Sequence, residues 1–222
     1  MMIANLHSWD LLAKEAMQLQ KNLAKKVIRE DRFQSINTVA GVDVGFLEQG
    51  KTTRAAVAVL NFPALSLVEH RVVDVPTCYP YIPGLLSFRE LPAVLSAISQ
   101  LGKMPDLFLV DGQGIAHPRR LGIASHLGLW VNRPTVGVGK SRLLGSHGEL
   151  PNKKGAWTPL LDQGEVVGAV LRSRVNVKPI YISIGHRCSL PTAIHWVLAC
   201  ITKYKLPETT RYAHYLASEY GR

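Results

Sequence analysis

The feature that most constrains this chain is the apolar run Leu107-Phe108-Leu109-Val110, which ends in Asp111 and breaks into Gly112-Gln113-Gly114 before His117, Arg119 and Arg120. Such a run reads as a buried strand that delivers a carboxylate to a polar rim. Desolvating that carboxylate costs several kcal/mol unless a cation pairs with it. A metal ion or the arginines that follow are the two available sources of that charge. Leu121 to Trp130 then reads as a short helix and Pro134 to Lys140 as a second buried strand. Strand, helix and strand form a βαβ unit, so the strands ending at Asp111 and Lys140 are expected to be parallel and neighbouring. Polar groups at the carboxyl ends of such strands are where open α/β sheets build sites. Lys140 reads as a phosphate contact or an aid to proton transfer, or else as a basic strand end in solvent.

The question for the rest of the chain is whether it brings more carboxylates to this place. Thr38 to Phe46 alternates with the period of a strand, with Ala40, Val42, Val44 and Phe46 on one face and Gly41, Asp43 and Gly45 on the other. Glycines on both sides of Asp43 leave open space for an ion, a water or a substrate backbone. The runs Thr53 to Phe62 and Leu65 to Val75 complete an antiparallel meander. Cys78 to Leu86 is a stiff loop, because Pro80, Pro83 and Gly84 exclude regular structure, and Tyr81 within it reads either as a wedge for a base stack or as cover for the core. Ser87 followed by Glu90 is a capping-box pattern opening a helix to Leu101, with Pro92 pushing its start later. Glu90 as cap and Glu90 as catalytic acid are not separable at this level.

Elsewhere, an amphipathic helix is expected from Trp9 to Val27, a glycine-rich polar loop over 145–157, and strands over Glu165 to Arg172 and Ile180 to Ile184. A helix from about Pro191 to Tyr204 and a capped helix from Thr209 complete the chain, and His214 lies in the last one.

Lys and Arg outnumber Asp and Glu by 26 to 16, for a formal charge of +10, which favours a polyanionic partner. The imbalance is local: no acid occurs between Gly112 and Gly148, where Arg119, Arg120, Arg133, Lys140 and Arg142 all fall. The three cysteines have no C-x-x-C spacing, so neither a disulfide framework nor a cysteine zinc site is indicated. A cytoplasmic protein with no membrane segment fits, and the absence of a heptad pattern favours a monomer.

Together the motifs resemble the endonuclease V family. They are Ala40-Gly-Val-Asp43-Val-Gly-Phe46, Pro80-Tyr-Ile-Pro-Gly84, Leu86-Ser-Phe-Arg-Glu90, Val110-Asp111-Gly-Gln-Gly-Ile-Ala-His117-Pro-Arg119-Arg120, Pro134 to Lys140, Gly185-His-Arg187 and Lys205 to Arg211. The resemblance implies one RNase H-like α/β domain over 1–222, with a central mixed sheet in which an antiparallel meander is followed by parallel strands and flanked by helices. It also implies a Mg2+-dependent nuclease, with Mn2+ as a substitute, that recognises deoxyinosine in DNA. Cleavage at the second phosphodiester 3′ to the lesion, leaving 3′-hydroxyl and 5′-phosphate ends, follows from the same resemblance. Asp43, Asp111 and Glu90 match the metal-binding carboxylates, and Lys140 and His214 complete the catalytic set. Tyr81, flanked by Pro80 and Ile82, matches the wedge. Gly84, Leu85, Gly112 and Ile123 match the main-chain lesion pocket, with His117, Arg119 and Arg120 beside it. Gln113 departs from the histidine of bacterial members and is expected to tune the rim. Two alternatives stand beside this reading: inosine-containing RNA as substrate of the same site, and a nucleic-acid-binding module without catalysis.

Overall fold

The strand that ends at Asp111 lies inside an eight-stranded sheet of order β3-β2-β1-β4-β5-β8-β7-β6. The structure is a computed structural model that describes residue 3 and residues 5–219. Its strands are β1 (Thr38–Leu47), β2 (Thr52–Asn61), β3 (Leu67–Pro76), β4 (Leu107–Asp111), β5 (Thr135–Gly139), β6 (Trp157–Asp162), β7 (Glu165–Leu171) and β8 (Ile180–His186). Its helices are α1 (Ala13–Ala24), α2 (Leu86–Ser99), α3 (Ile123–Val131), α4 (Leu190–Ala199) and α5 (Glu208–Glu219).

The meander and the βαβ unit form as expected. β1 pairs antiparallel with β2, and β2 with β3, while β4 runs parallel to both β1 and β5. The architecture is thus the expected RNase H-like α/β fold with a mixed sheet. Val42 stands opposite Val110 in the register, so Asp43 and Asp111 emerge side by side from neighbouring strands. One face of the sheet is covered by α2 and α3, whose Leu91, Val94, Ile98, Leu127 and Trp130 pack on Val42, Val57, Phe108 and Val110. A second apolar cluster joins Leu107, Leu109, Val136 and Ile182 to α4 through Ala193, Ile194 and Val197. Among the described residues, no helix is long and apolar enough to cross a membrane.

Several local expectations change. α1 begins at Ala13 and not at Trp9, because the Glu15 carboxylate accepts the Leu12 N–H at 2.8 Å and Trp9 stacks on Trp130 ahead of the helix. α4 stops at Ala199, short of the expected Tyr204. β6, which begins at the last residue of the loop expected over 145–157, is a strand that the sequence pattern does not announce; Pro159 sits within it because it is the outermost strand, where a missing N–H is tolerated. The capping box at Ser87 does not form. Leu85 precedes the helix, and the Ser87 hydroxyl is instead bound to His126 Nδ1 at 2.9 Å.

The space beside Asp43 is not open either. A Cβ at Gly41 would lie 1.9 Å from the Thr209 carbonyl oxygen, and one at Gly45 would lie 2.8 Å from that of Ala217. The two glycines let the backbone of α5 lie directly on β1. That approach sets His214 against Asp43.

Candidate active site

Three carboxylates from three elements face one another: Asp43 from β1, Asp111 from the end of β4, and Glu90 from α2. Asp43 Oδ1 accepts its neighbour Val44 N–H at 2.9 Å, and Oδ2 lies 2.7 Å from His214 Nδ1. Asp111 forms an ion pair with the Lys140 ammonium, which arrives from the end of β5. The cation that the buried strand end requires is therefore Lys140. Arg119 and Arg120, one of the two sources considered beside a metal ion, are engaged elsewhere. Glu90 is only 9% exposed. Burial, with the charges of Asp43 and Asp111, pushes its carboxyl up to about 8, and only Arg89 acts the other way. Asp111 is raised too, first by burial and then by Asp43, against the pull of Lys140 and His214.

This is a set of hard oxygen donors with an excess of negative charge, the composition that suits a divalent cation such as Mg2+. Among the described residues, no three His, Cys, Asp or Glu side chains stand in an arrangement that could hold a metal ion as they are placed. Lys140 occupies the charge-compensating place beside Asp111. The fit to a metal rests on donor chemistry and on the raised carboxyls, which a cation would relieve.

A cleft of about 420 Å³ adjoins Asp111, lined by Tyr81, Ile82, Gly84, Gly112, Gln113, His117, Ile123 and Lys140 among others. Tyr81 is 70% exposed, so its ring is available to a partner. Gly84 has φ +79° and Gly112 φ +135°, values that disfavour any side chain at these turns. The Gly84 carbonyl is held by three donors: Arg119 Nη2 at 2.7 Å, Gln20 Nε2 at 3.0 Å and His117 Nε2 at 3.1 Å. His117 Nδ1 accepts the Arg119 N–H at 3.2 Å, so the ring is a neutral Nε2–H tautomer. Burial and the neighbouring Arg119 charge agree with this, lowering its pKa to about 4. His117 thus positions the cleft wall. Ile123 opens α3, where a helix leaves its first N–H groups without intrahelical partners; that of Ala124 is taken by the Gln113 carbonyl at 3.0 Å.

Not every expected residue lines this space. Pro80 and Leu85 do not, and the Leu85 N–H is bonded to the Ile82 carbonyl at 2.9 Å. Arg120 is placed away from the wall, its guanidinium paired at 2.7 Å with both Asp162 and Glu165. Gln113 does line the cleft. Its Nε2 donates to the Ser141 carbonyl at 3.1 Å, and its Oε1 is a buried acceptor without a partner.

Sequence reasoning missed four supporting residues. Gln20, 1% exposed, bridges α1 to Gly84, and its only signal is a position four residues after the buried Ala16. Arg89 Nη1 donates to the Tyr79 carbonyl at 2.8 Å, tying α2 to the loop that carries Tyr81. His126, fully buried, joins Ser87 to His7, whose Nε2 lies 2.8 Å from His126 Nε2. No local pattern announces that chain.

The comparisons with known proteins identify the family. A family profile for Endonuclease V matches residues 21–215. The endonuclease V of Rippkaea orientalis is 61% identical over 208 residues, covering 94% of this chain and 91% of that protein. The crystal structure of endonuclease V from Streptomyces avermitilis superposes with a TM-score of 0.90 at 37% identity, covering 98% of this chain and 96% of its own. That of Ciona intestinalis, solved with a 23-mer DNA containing an inosine followed by a ribo-adenosine, gives a TM-score of 0.82 at 30% identity, covering 93% and 97%. With the match spanning both the β1–β4 carboxylates and the helix that carries His214, the chain belongs to the endonuclease V family and is an endonuclease.

Proposed function

We propose that this endonuclease acts on DNA containing deoxyinosine and hydrolyses the second phosphodiester 3′ to the lesion, leaving 3′-hydroxyl and 5′-phosphate ends. The observation that carries the reading is that one turn serves both tasks. Asp111 belongs to the carboxylate set, while Gly112 and Gln113, directly after it, line the cleft. A base held in that cleft lies next to the carboxylates, so recognition and cleavage are coupled through a single strand end. The Ciona relative bound to inosine-containing DNA supports the same assignment.

Asp43, Asp111 and Glu90 would hold a divalent cation, Mg2+ or in its place Mn2+, which when bound supplies Lewis acidity and a nucleophilic water. His214, held by Asp43, orients that carboxylate and can carry a proton at Nε2. Lys140, already beside Asp111, places a positive charge where a phosphate oxygen would arrive. Tyr81, exposed on a loop stiffened by Pro80 and Pro83, fills the gap left by an extruded base. Hypoxanthine presents an O6 acceptor and an N1–H donor where adenine presents the reverse. Main-chain N–H groups at the Gly84 turn and at the start of α3 then favour hypoxanthine over adenine, because a mismatched donor stays unpaired.

Inosine-containing RNA is the second reading, favoured by the ribo-adenosine that follows inosine in the Ciona complex. The test is an end-labelled duplex with one deoxyinosine, incubated with Mg2+ and mapped for the cut, beside a matched RNA strand. Nicking one nucleotide beyond the lesion, lost in Asp43→Ala and Asp111→Ala, is expected. A cut elsewhere, or activity that survives either substitution, overturns the assignment; clear preference for RNA selects the second reading.

A further inference from the structure

The carboxylate set has a second neighbour that the lesion cleft does not use. A groove on the surface of α5 is lined by Tyr204, Lys205, Arg211, His214, Tyr215 and Ser218. It reaches the site through His214, whose ring holds Asp43. The lesion cleft reaches the same site through Asp111 and Lys140. The carboxylates therefore stand between two concavities, only one of which the reading above occupies.

The groove has the chemistry of a nucleic-acid surface. Tyr215 is 58% exposed and Tyr204 42%, both large for aromatic rings with no covering element. The Arg211 guanidinium lies over the Tyr204 ring at 3.4 Å, while Glu208, the acid nearest to it, is neutralised by Arg211 at 2.7 Å. Lys203 stands 5.7 Å from the same ring. Lys205 sits close enough to Lys178 and Lys140 that their charges, after burial, hold it below the usual lysine range. Neither Lys205 nor Lys178 has an acidic partner among the described residues, so Lys140, Lys178 and Lys205 form a cationic track leading from Asp111 to the groove. Lys140 is already paired with Asp111, but Lys178 and Lys205 carry like charges without counter-ions of their own, which an incoming polyanion stabilises. Exposed aromatic rings beside such a track are how proteins hold unpaired nucleotides without reading their sequence.

We propose that the α5 groove binds the nucleotides 3′ of the scissile phosphate as an unpaired strand, with Lys205 and Lys178 on its phosphates and Tyr215 stacked on a base. This rests on the cut position proposed above. The lesion fills the cleft on the Lys140 side, the scissile phosphate spans the carboxylates, and the strand leaving on the His214 side is the one that carries the 5′-phosphate after cleavage. The groove thus grips the downstream strand while Tyr81 and the cleft hold the upstream one.

The test measures binding with the intact protein in chelator, so that nothing is cut. Single-stranded oligonucleotides with one deoxyinosine end either one or eight nucleotides beyond the expected cut, and fluorescence anisotropy gives their affinities. The longer 3′ tail should tighten binding by about tenfold, the effect of one stacked base and its phosphates. Tyr215→Ala and Lys205→Ala should remove most of that gain and leave the short oligonucleotide unchanged, and Lys205→Ala should lower the salt dependence by about one phosphate contact. Tyr215 projects from the surface and Lys205 is half-buried at the groove, and extension on the 5′ side, which both variants should still bind, controls for folding. A parent that gains nothing from the 3′ tail, variants that keep the full gain, or a loss confined to 5′ extension overturns the proposal. Short oligonucleotides carrying adenine in place of hypoxanthine test the lesion reading separately. Equal binding of the two, with the tail gain intact, sinks that reading and sustains the groove.

Discussion

Replacing Glu90 by Gln should make the metal-free protein more stable and the enzyme inactive. Burial, and after it the charges of Asp43 and Asp111, push the pKa of Glu90 from 4.5 up to about 8. A carboxyl whose folded pKa is raised retains its proton after the unfolded chain has lost one. Stability is therefore unaffected below about pH 4.5 and falls as the pH rises through the window up to 8. At pH 7 the gap covers roughly 2.5 pH units at about 1.36 kcal/mol each, a cost on the order of 3 kcal/mol. At pH 5 the same linkage leaves under about 1 kcal/mol. Glutamine keeps the shape of the protonated acid and never ionises, so Glu90→Gln removes the pH-dependent cost without opening a cavity. Urea unfolding of chelator-treated parent and variant at the two pH values should show the variant ahead by about 3 kcal/mol at the higher and nearly level at the lower. Excess Mg2+ should narrow the difference at pH 7, because the cation binds the parent's three carboxylates more tightly. Nicking of a deoxyinosine duplex should fall by about a hundredfold or more, a loss of roughly 3 kcal/mol of transition-state stabilisation. A variant no more stable than the parent at pH 7, or a difference that does not change with pH, would refute the account of Glu90 as a carboxyl strained by its neighbours.

The remaining expectations concern what holds the site in place. Gly41→Ala puts a Cβ 1.9 Å from the Thr209 carbonyl, so thermal unfolding should show a loss of about 3 kcal/mol or more, with nicking reduced as α5 and His214 are displaced. Tyr81→Ala changes a side chain that is 70% exposed and should leave stability within about 0.5 kcal/mol while lowering nicking of inosine duplexes; parent-level nicking would remove its wedge role. His117 and His186 are neutral in the fold because burial and neighbouring arginines lower each to about 4. Their stabilising effect is complete above the ordinary histidine value of 6.5 and is lost as the pH falls from there towards 4, about 2 kcal/mol each by pH 5. In urea unfolding His186→Gln, taken in the Glu90→Gln background to remove the opposing carboxyl, should lose about 2 kcal/mol less than its parent between pH 7 and pH 5, with His7, His117 and His126, also lowered by burial, keeping the rest of the acid sensitivity; an unchanged slope counts against burial as its cause.

What could be read in advance was local in sequence. Leu107 to Val110 identifies its own strand, and period two in β1 separates Asp43 from Val42 and Val44 without any knowledge of what packs on either face. The parallel register then brings Asp43 and Asp111 together, since β1 and β4 pair through Val42 and Val110 although the meander and α2 lie between them in the chain. What could not be read depends on partners distant in the chain. Ser87 and Glu90 satisfy a capping pattern, yet the serine is taken by His126, 39 residues later, and the glutamate is buried against the acids. Asp111 has arginines nearby in sequence, but Arg120 is claimed by Asp162 and Glu165, so the charge comes from the end of β5. The clearest case is the glycine face of β1. Gly41 and Gly45 read as room for a ligand because nothing within the strand fills it. The filler is the backbone of α5, and its carbonyls lie where side chains would be. This changes what the glycines do for function. A helix seated on ordinary side chains would stand farther from the sheet, and His214 could not come within 2.7 Å of Asp43. The two glycines admit no ligand themselves; they bring the last helix of the chain close enough to its first strand to complete the site.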